Sequence, residues 1–113
     1  MALYHAKPGE IVDLRPANEN LQGTRTAAIV KTRQFEAIRL IVPAGTEIPS
    51  HKVSGNLTLQ CLEGCIELGL ATSPVILKAH DWVYLDGNEA HSIKAIEDSS
   101  MLLTIILTPK EGV

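Results

Sequence analysis

From residue 25 onward the chain alternates short apolar runs with clusters of turn-forming residues. The runs are RTAAIVK, QFEAIRLIV, NLTLQCL, CIELGL, PVILK, WVYL, HSIKAI and MLLTIILT, and between them fall PAG, SGN, EG, ATSP, AHD, DGN and EDSS. Runs of this length, rich in Val, Ile, Leu and Thr and bounded by Gly, Pro, Asn, Asp and Ser, read as β-strands joined by tight turns. No segment sustains a 3.6-residue apolar period long enough for a helix. In TRQFEAIRLIV, the one ambiguous stretch, the alternation of Ile38, Leu40 and Val42 and the Pro43 that follows favour a strand. Regular strand spacing without βαβ units predicts an all-β sandwich or barrel.

Residues 1–24 differ from the rest. They are more polar and contain the turn-rich run RPANENLQGT. The expectation is an N-terminal arm with one strand near Ile11 to Leu14 that packs on the barrel or on a partner, followed by a barrel over 25–113. A length of 113 residues suits one domain with a real core.

Composition narrows the class. With 45% hydrophobic and 20% charged residues the chain is an ordinary globular one. Ten Lys and Arg against 13 Asp and Glu give a net charge of -3, and the basic residues form no cluster. Nucleic acid is therefore not expected as a partner. No apolar run approaches the roughly 20 residues that span a bilayer. The start, MALYHAKPGE, has no apolar signal core, so no membrane association and a cytoplasmic location are expected. Cys61 and Cys65 flank a predicted hairpin turn, and a C-x-x-x-C pair matches neither a redox motif nor half a zinc knuckle. They read as free thiols, buried or half-buried, with a disulfide as the alternative if the turn sets them opposite each other.

Strand parity singles out two of the four histidines. In PSHKVSG, positions 51 and 53 are His and Val while Ser50, Lys52 and Ser54 alternate with them. In HSIKAI, His91, Ile93 and Ala95 share one face and Ser92 and Lys94 the other. His51 and His91 are thus expected to point inward. His5 lies in the polar arm and His80 in a turn, where solvation is the ordinary fate. An inward histidine can be a core residue satisfied by backbone, but two of them in a small β protein can meet in a barrel interior.

These residues resemble a known pattern. AGTEIPS before His51, Gly64 thirteen positions after it, and AHDWVYLDGNEAH ending on His91 are similar to the two motifs of small bacterial cupins of the RmlC-like superfamily. The resemblance covers roughly residues 38–108. It implies a double-stranded β-helix, or cupin jelly-roll barrel, paired as a homodimer with strand exchange at the N-terminus. In metal-binding cupins it further implies three histidines and one Glu or Gln around a divalent Fe, Ni, Mn or Zn ion.

Here only His51 and His91 match that ligand set, since Val53 stands where the second His would be and Leu57 where the acidic residue would be. Two imidazoles are a poor site, because catalytic zinc commonly takes three protein ligands and non-haem iron two His and a carboxylate. Cys61 faces inward by parity but lies about 13 Å along the strand from position 57. Glu47 and Glu89 are expected in loops at the barrel mouth. With Val53, Leu57, Leu59, Ile93 and Ala95 lining it, the expected interior is apolar with two polar groups.

Three readings stay open. The first is a barrel binding a small organic ligand through His51, Val53, Leu57, Leu59, His91 and Ile93, with no tightly bound metal. The second is a metal-dependent oxidoreductase, such as a dioxygenase, or an isomerase using His51 and His91. The third is a non-catalytic dimer whose interior is only core. No Ser/His/Asp arrangement, phosphate loop or spaced carboxylate pair supports hydrolase or phosphotransferase chemistry.

Overall fold

The computed structural model describes residues 5–107. Nine strands follow one 3-10 helix at Asn18–Gly23: β1 (Ala27–Lys31), β2 (Phe35–Val42), β3 (Glu47–His51), β4 (Leu57–Glu63), β5 (Cys65–Leu70), β6 (Val75–Lys78), β7 (Trp82–Leu85), β8 (His91–Ala95) and β9 (Ser99–Ile106). They form two antiparallel sheets, ordered β1-β2-β9-β4-β7 and β3-β8-β5-β6. The chain is all-β, and its two sheets close over one core in a double-stranded β-helix.

Period-two alternation decides which face goes inward. Leu57 pairs with Leu85 and Ile105, Leu59 with Val83 and Leu103, and Cys61 with Met101, so one face of the first sheet is continuous hydrocarbon. In the second sheet Ile93 pairs with Ile48 and Leu68, and Ala95 with Ile66. Leu59, Cys61, Ile66, Leu68, Val42 and Met101 are buried almost completely. Removing a side chain such as Leu59 from this core would cost about 2 to 5 kcal/mol. Cys61 and Cys65 are both free and buried, as expected for a pair that straddles the β4–β5 turn.

The eight expected strands all form, although Thr108, the end of MLLTIILT, lies outside the described residues. β3 was legible only through the histidine parity. Its Pro49 cannot donate to a ladder, and it is tolerated because β3 is an edge strand and the register shifts between Ile48 and His51.

The strand expected near Ile11 to Leu14 does not form, and residues 11–17 join no ladder. Ile11 is 94% exposed and finds no apolar surface, while Pro16 has no N–H to offer a neighbouring strand. The arm is held instead by its own backbone. The Ala6 N–H donates to the Ile29 carbonyl at 2.8 Å, and the Ala17 and Asn18 N–H groups donate to the two Glu63 carboxylate oxygens at 2.7 and 3.0 Å. Leu21, in the 3-10 helix, is buried.

Around Glu63 the sheet and the arm are tied together. Ser100 Oγ donates to the same carboxylate at 2.8 Å, and the Arg39 guanidinium lies 3.9 Å away while donating to the Arg15 carbonyl at 2.7 Å. Burial alone would raise this carboxyl. The bonds donated by Ala17, Ser100 and Asn18, with the Arg39 charge, more than offset that and hold it below the usual carboxylate range.

Candidate functional site

His51 ends β3 and His91 begins β8, and the two are direct cross-strand partners. Their ring centroids are 4.4 Å apart with planes tilted by 59°. Each ring is fixed in the same way. His51 Nδ1 lies 3.2 Å from the Pro49 carbonyl, and His91 Nδ1 lies 3.0 Å from the Glu89 carbonyl, in both cases two residues upstream. A carbonyl can only accept, so each Nδ1 carries the proton and the neutral ring keeps its lone pair on Nε2. Neither Nε2 has a hydrogen-bond partner among the described residues.

The pair opens onto a cavity of about 180 Å³ lined by Leu40, Ile48, His51, Leu57, Leu59, Leu85, His91, Ile93 and Leu103. His91 is 4% exposed and lies inside, whereas His51 is exposed and stands at the mouth. Among the described residues every other lining side chain is aliphatic. The structure therefore brings His51, Leu57, Leu59, His91 and Ile93 to one space.

Val53 is not there. β3 stops at His51, so the parity that linked positions 51 and 53 no longer applies. Val53 packs on the core from the following loop, where its carbonyl accepts the Asn88 N–H at 2.6 Å. Ile48 takes the place expected of it, because the register shift lets residues 48 and 51, three apart, line the same cavity. Leu40, Leu85 and Leu103 line it too. Leu40 belongs to the alternation of Ile38, Leu40 and Val42 that marked its strand, but only the sheet order shows that β2, β9 and β7 meet opposite the histidines. Ala95 is buried in the core and does not line the cavity.

The residues present do not fit the divalent ion that the resemblance implies. Among the described residues no third His, Cys, Asp or Glu joins the two imidazoles. Leu57 sets hydrocarbon against the pair at 3% exposure. Cys61 is buried beside Met101 and away from the cavity, and burial, then the neighbouring Cys65, push its thiol up to about 11, so it stays protonated. Glu47 is not in a loop as expected. It begins β3, is exposed, and pairs with Lys94 across the sheet.

Larger clefts run along the arm, one of about 400 Å³ lined by Asp13, Arg15, Pro16, Asn18 and Arg39. Their charges are largely engaged. Arg15 is paired with Asp13 at 2.7 Å, and Arg39 holds the Arg15 carbonyl. Trp82 and Tyr84 alternate on the exposed side of edge strand β7, and Tyr84 donates to Asp86.

No family model and no curated protein matches the chain. Solved structures do. A conserved protein of unknown function from Streptococcus pyogenes is similar with a TM-score of 0.76 at 16% identity, covering 96% of this chain and 99% of its own. An RmlC-like cupin from Shewanella frigidimarina NCIMB 400 is similar with a TM-score of 0.69 at 14% identity, covering 78% of this chain and 79% of its own. The DMSP lyase DddQ from Ruegeria pomeroyi DSS-3 reaches a TM-score of 0.67 at 18% identity over 78% of this chain and 48% of its own. At such identities the likeness carries the fold and nothing finer. The fold is that of a small RmlC-like cupin domain, an architecture that hosts unrelated chemistries. No helix among the described residues is long and apolar enough to cross a membrane.

Proposed function

We propose that this cupin barrel binds a small, largely apolar organic ligand in the cavity framed by His51, Leu57, Leu59, His91 and Ile93, without a tightly held metal. One observation carries the reading: among the described residues, the cavity of about 180 Å³ has aliphatic side-chain walls and two convergent imidazoles as its only polar side chains. That is the composition of a ligand pocket, in which a few polar atoms orient a mostly hydrophobic occupant. An interior that served only as core would be filled, because native cores leave few voids larger than a water molecule. A metal-dependent oxidoreductase or isomerase would need a third donor beside the pair.

The test is a fragment screen followed by amide chemical-shift titration. Shifts are expected to concentrate on β3, β4 and β8, and His51→Ala and His91→Ala should each weaken binding by about tenfold while leaving the β-sheet circular dichroism intact. Loss of folding in both variants would instead mark the histidines as core residues.

In this proposal the protein works as a cytoplasmic homodimer. Pairing would cover Trp82, which is 59% exposed, and Tyr84, which is 47% exposed, large aromatic surfaces typical of interfaces. Sedimentation equilibrium should return about twice the 12.2 kDa chain mass, and Trp82→Ala should shift the protein toward monomer. A wild-type mass of one chain at high protein concentration would refute the dimer.

A further inference from the structure

We infer that the ligand carries a hydrogen-bond donor, a hydroxyl or an N–H, on a hydrocarbon body about the size of one six-membered ring; this rests on the ligand-binding reading above. The size follows from the cavity. At about 180 Å³ it exceeds only slightly the roughly 150 Å³ apolar cavity that accepts benzene in an unrelated engineered protein.

The donor requirement follows from the backbone. The Pro49 and Glu89 carbonyls each take the Nδ1 proton of the histidine two residues on. Each neutral ring is left with one function, an Nε2 lone pair, and among the described residues no other side chain of the lining is polar. His91, buried in the lining, thus offers an acceptor to the cavity and His51 another at its mouth, and no side-chain donor among the described lining residues faces the occupant. A ketone, ester or ether would set acceptor against acceptor and leave its own oxygen unpaired in a hydrocarbon wall. A phenol or alcohol of the same size would satisfy both sides. The matching geometry of the two histidines makes this a property of the backbone at two strand ends, not of one rotamer.

The experiment uses phenol and toluene, which differ by a hydroxyl against a methyl, and benzaldehyde, whose oxygen only accepts. Their dissociation constants are measured by amide chemical-shift titration at pH 8, above the range where free imidazole is protonated. The ratio of toluene to phenol dissociation constants in the wild type should fall by about tenfold or more in His91→Leu, which keeps the space filled but removes the inner acceptor. Toluene and benzaldehyde should bind His91→Leu no more weakly than the wild type. If His91→Leu does not fold, the same ratio is read in His51→Leu, where the exposed position tolerates the change.

A ratio that does not move would overturn the donor requirement while leaving the pocket standing. Benzaldehyde losing as much affinity as phenol would show the imidazole donating and overturn the proton assignment. Failure of all three probes to bind the wild type would remove the pocket reading itself, and this inference with it.

Discussion

Gly64→Ala should lower the stability of the barrel by about 3 kcal/mol or more, equivalent to a fall of roughly 10 to 20 °C in Tm. Gly64 closes the turn between β4 and β5 with φ at +90°, a left-handed conformation that costs any residue with a Cβ. Space is the second obstacle. A Cβ built there would lie 2.3 Å from both the Asp98 carbonyl oxygen and Ser99 Oγ, and 2.8 Å from Ser99 Cα. These are mostly backbone atoms, and relieving the clash means moving the start of β9. That strand is anchored by the buried Ser99, whose hydroxyl accepts the Cys65 N–H at 3.0 Å and donates to the Glu97 carbonyl at 2.7 Å. Gly23→Ala is the control, because nothing lies within 4 Å of a Cβ at that position. It should change stability by no more than about 0.5 kcal/mol. Urea unfolding of both variants decides the matter, and a Gly64→Ala protein as stable as the control would mean that the turn yields more easily than its contacts indicate.

The second large effect concerns Glu63. Replacing it with Gln at pH 7 should cost about 2 kcal/mol, because one carboxylate oxygen gives way to an amide NH₂ that confronts N–H and O–H donors, and the Arg39 guanidinium loses its counter-charge. The amide protons of Ala17 and Asn18 should then exchange with solvent about tenfold or more faster as the arm is released.

The pH dependence has a definite sign. The carboxyl is held below its ordinary value in the folded state. Its contribution is therefore fully present above the ordinary glutamate pKa of about 4.3, and is lost as the pH falls through the lower folded value. The stability gap between wild type and Glu63→Gln should stay constant from neutral pH down to about pH 6 and close in acid. A gap that persisted unchanged into acid would mean that the hydrogen bonds to the arm do not depend on the charge.

Much of the barrel was legible because the code for a half-buried strand is short-range. Alternation placed Leu57, Leu59 and Cys61 on one face, and Ile93 and Ala95 with His91 on another, and the turn residues between runs marked the strand ends. What failed was the extrapolation of parity past a strand's end. Val53 shares parity with His51 only if the strand continues, and it does not. The same blindness hid Ile48, since a register shift beside Pro49 follows from which sheet edge β3 occupies, a long-range fact.

The arm shows another limit. Ile11 to Leu14 has the residue types of a strand, yet a strand needs a neighbour with free N–H and C=O groups. Nothing local records that the arm would instead be tied by its backbone to a carboxylate some 45 residues away. The meeting of the two histidines was anticipated from parity. Their 4.4 Å contact and their common proton arrangement came only with the fold.

In the proposed function His51 and His91 orient an organic ligand and do not hold a resident metal ion. The most direct measurement is metal content per chain, by elemental analysis of protein purified without a histidine tag or chelator, repeated on His51→Ala. Iron, nickel, manganese and zinc are each expected well below one per chain and unchanged by the substitution. Near-stoichiometric metal that disappears in His51→Ala would contradict it, and would make the histidine pair the visible part of a metal centre.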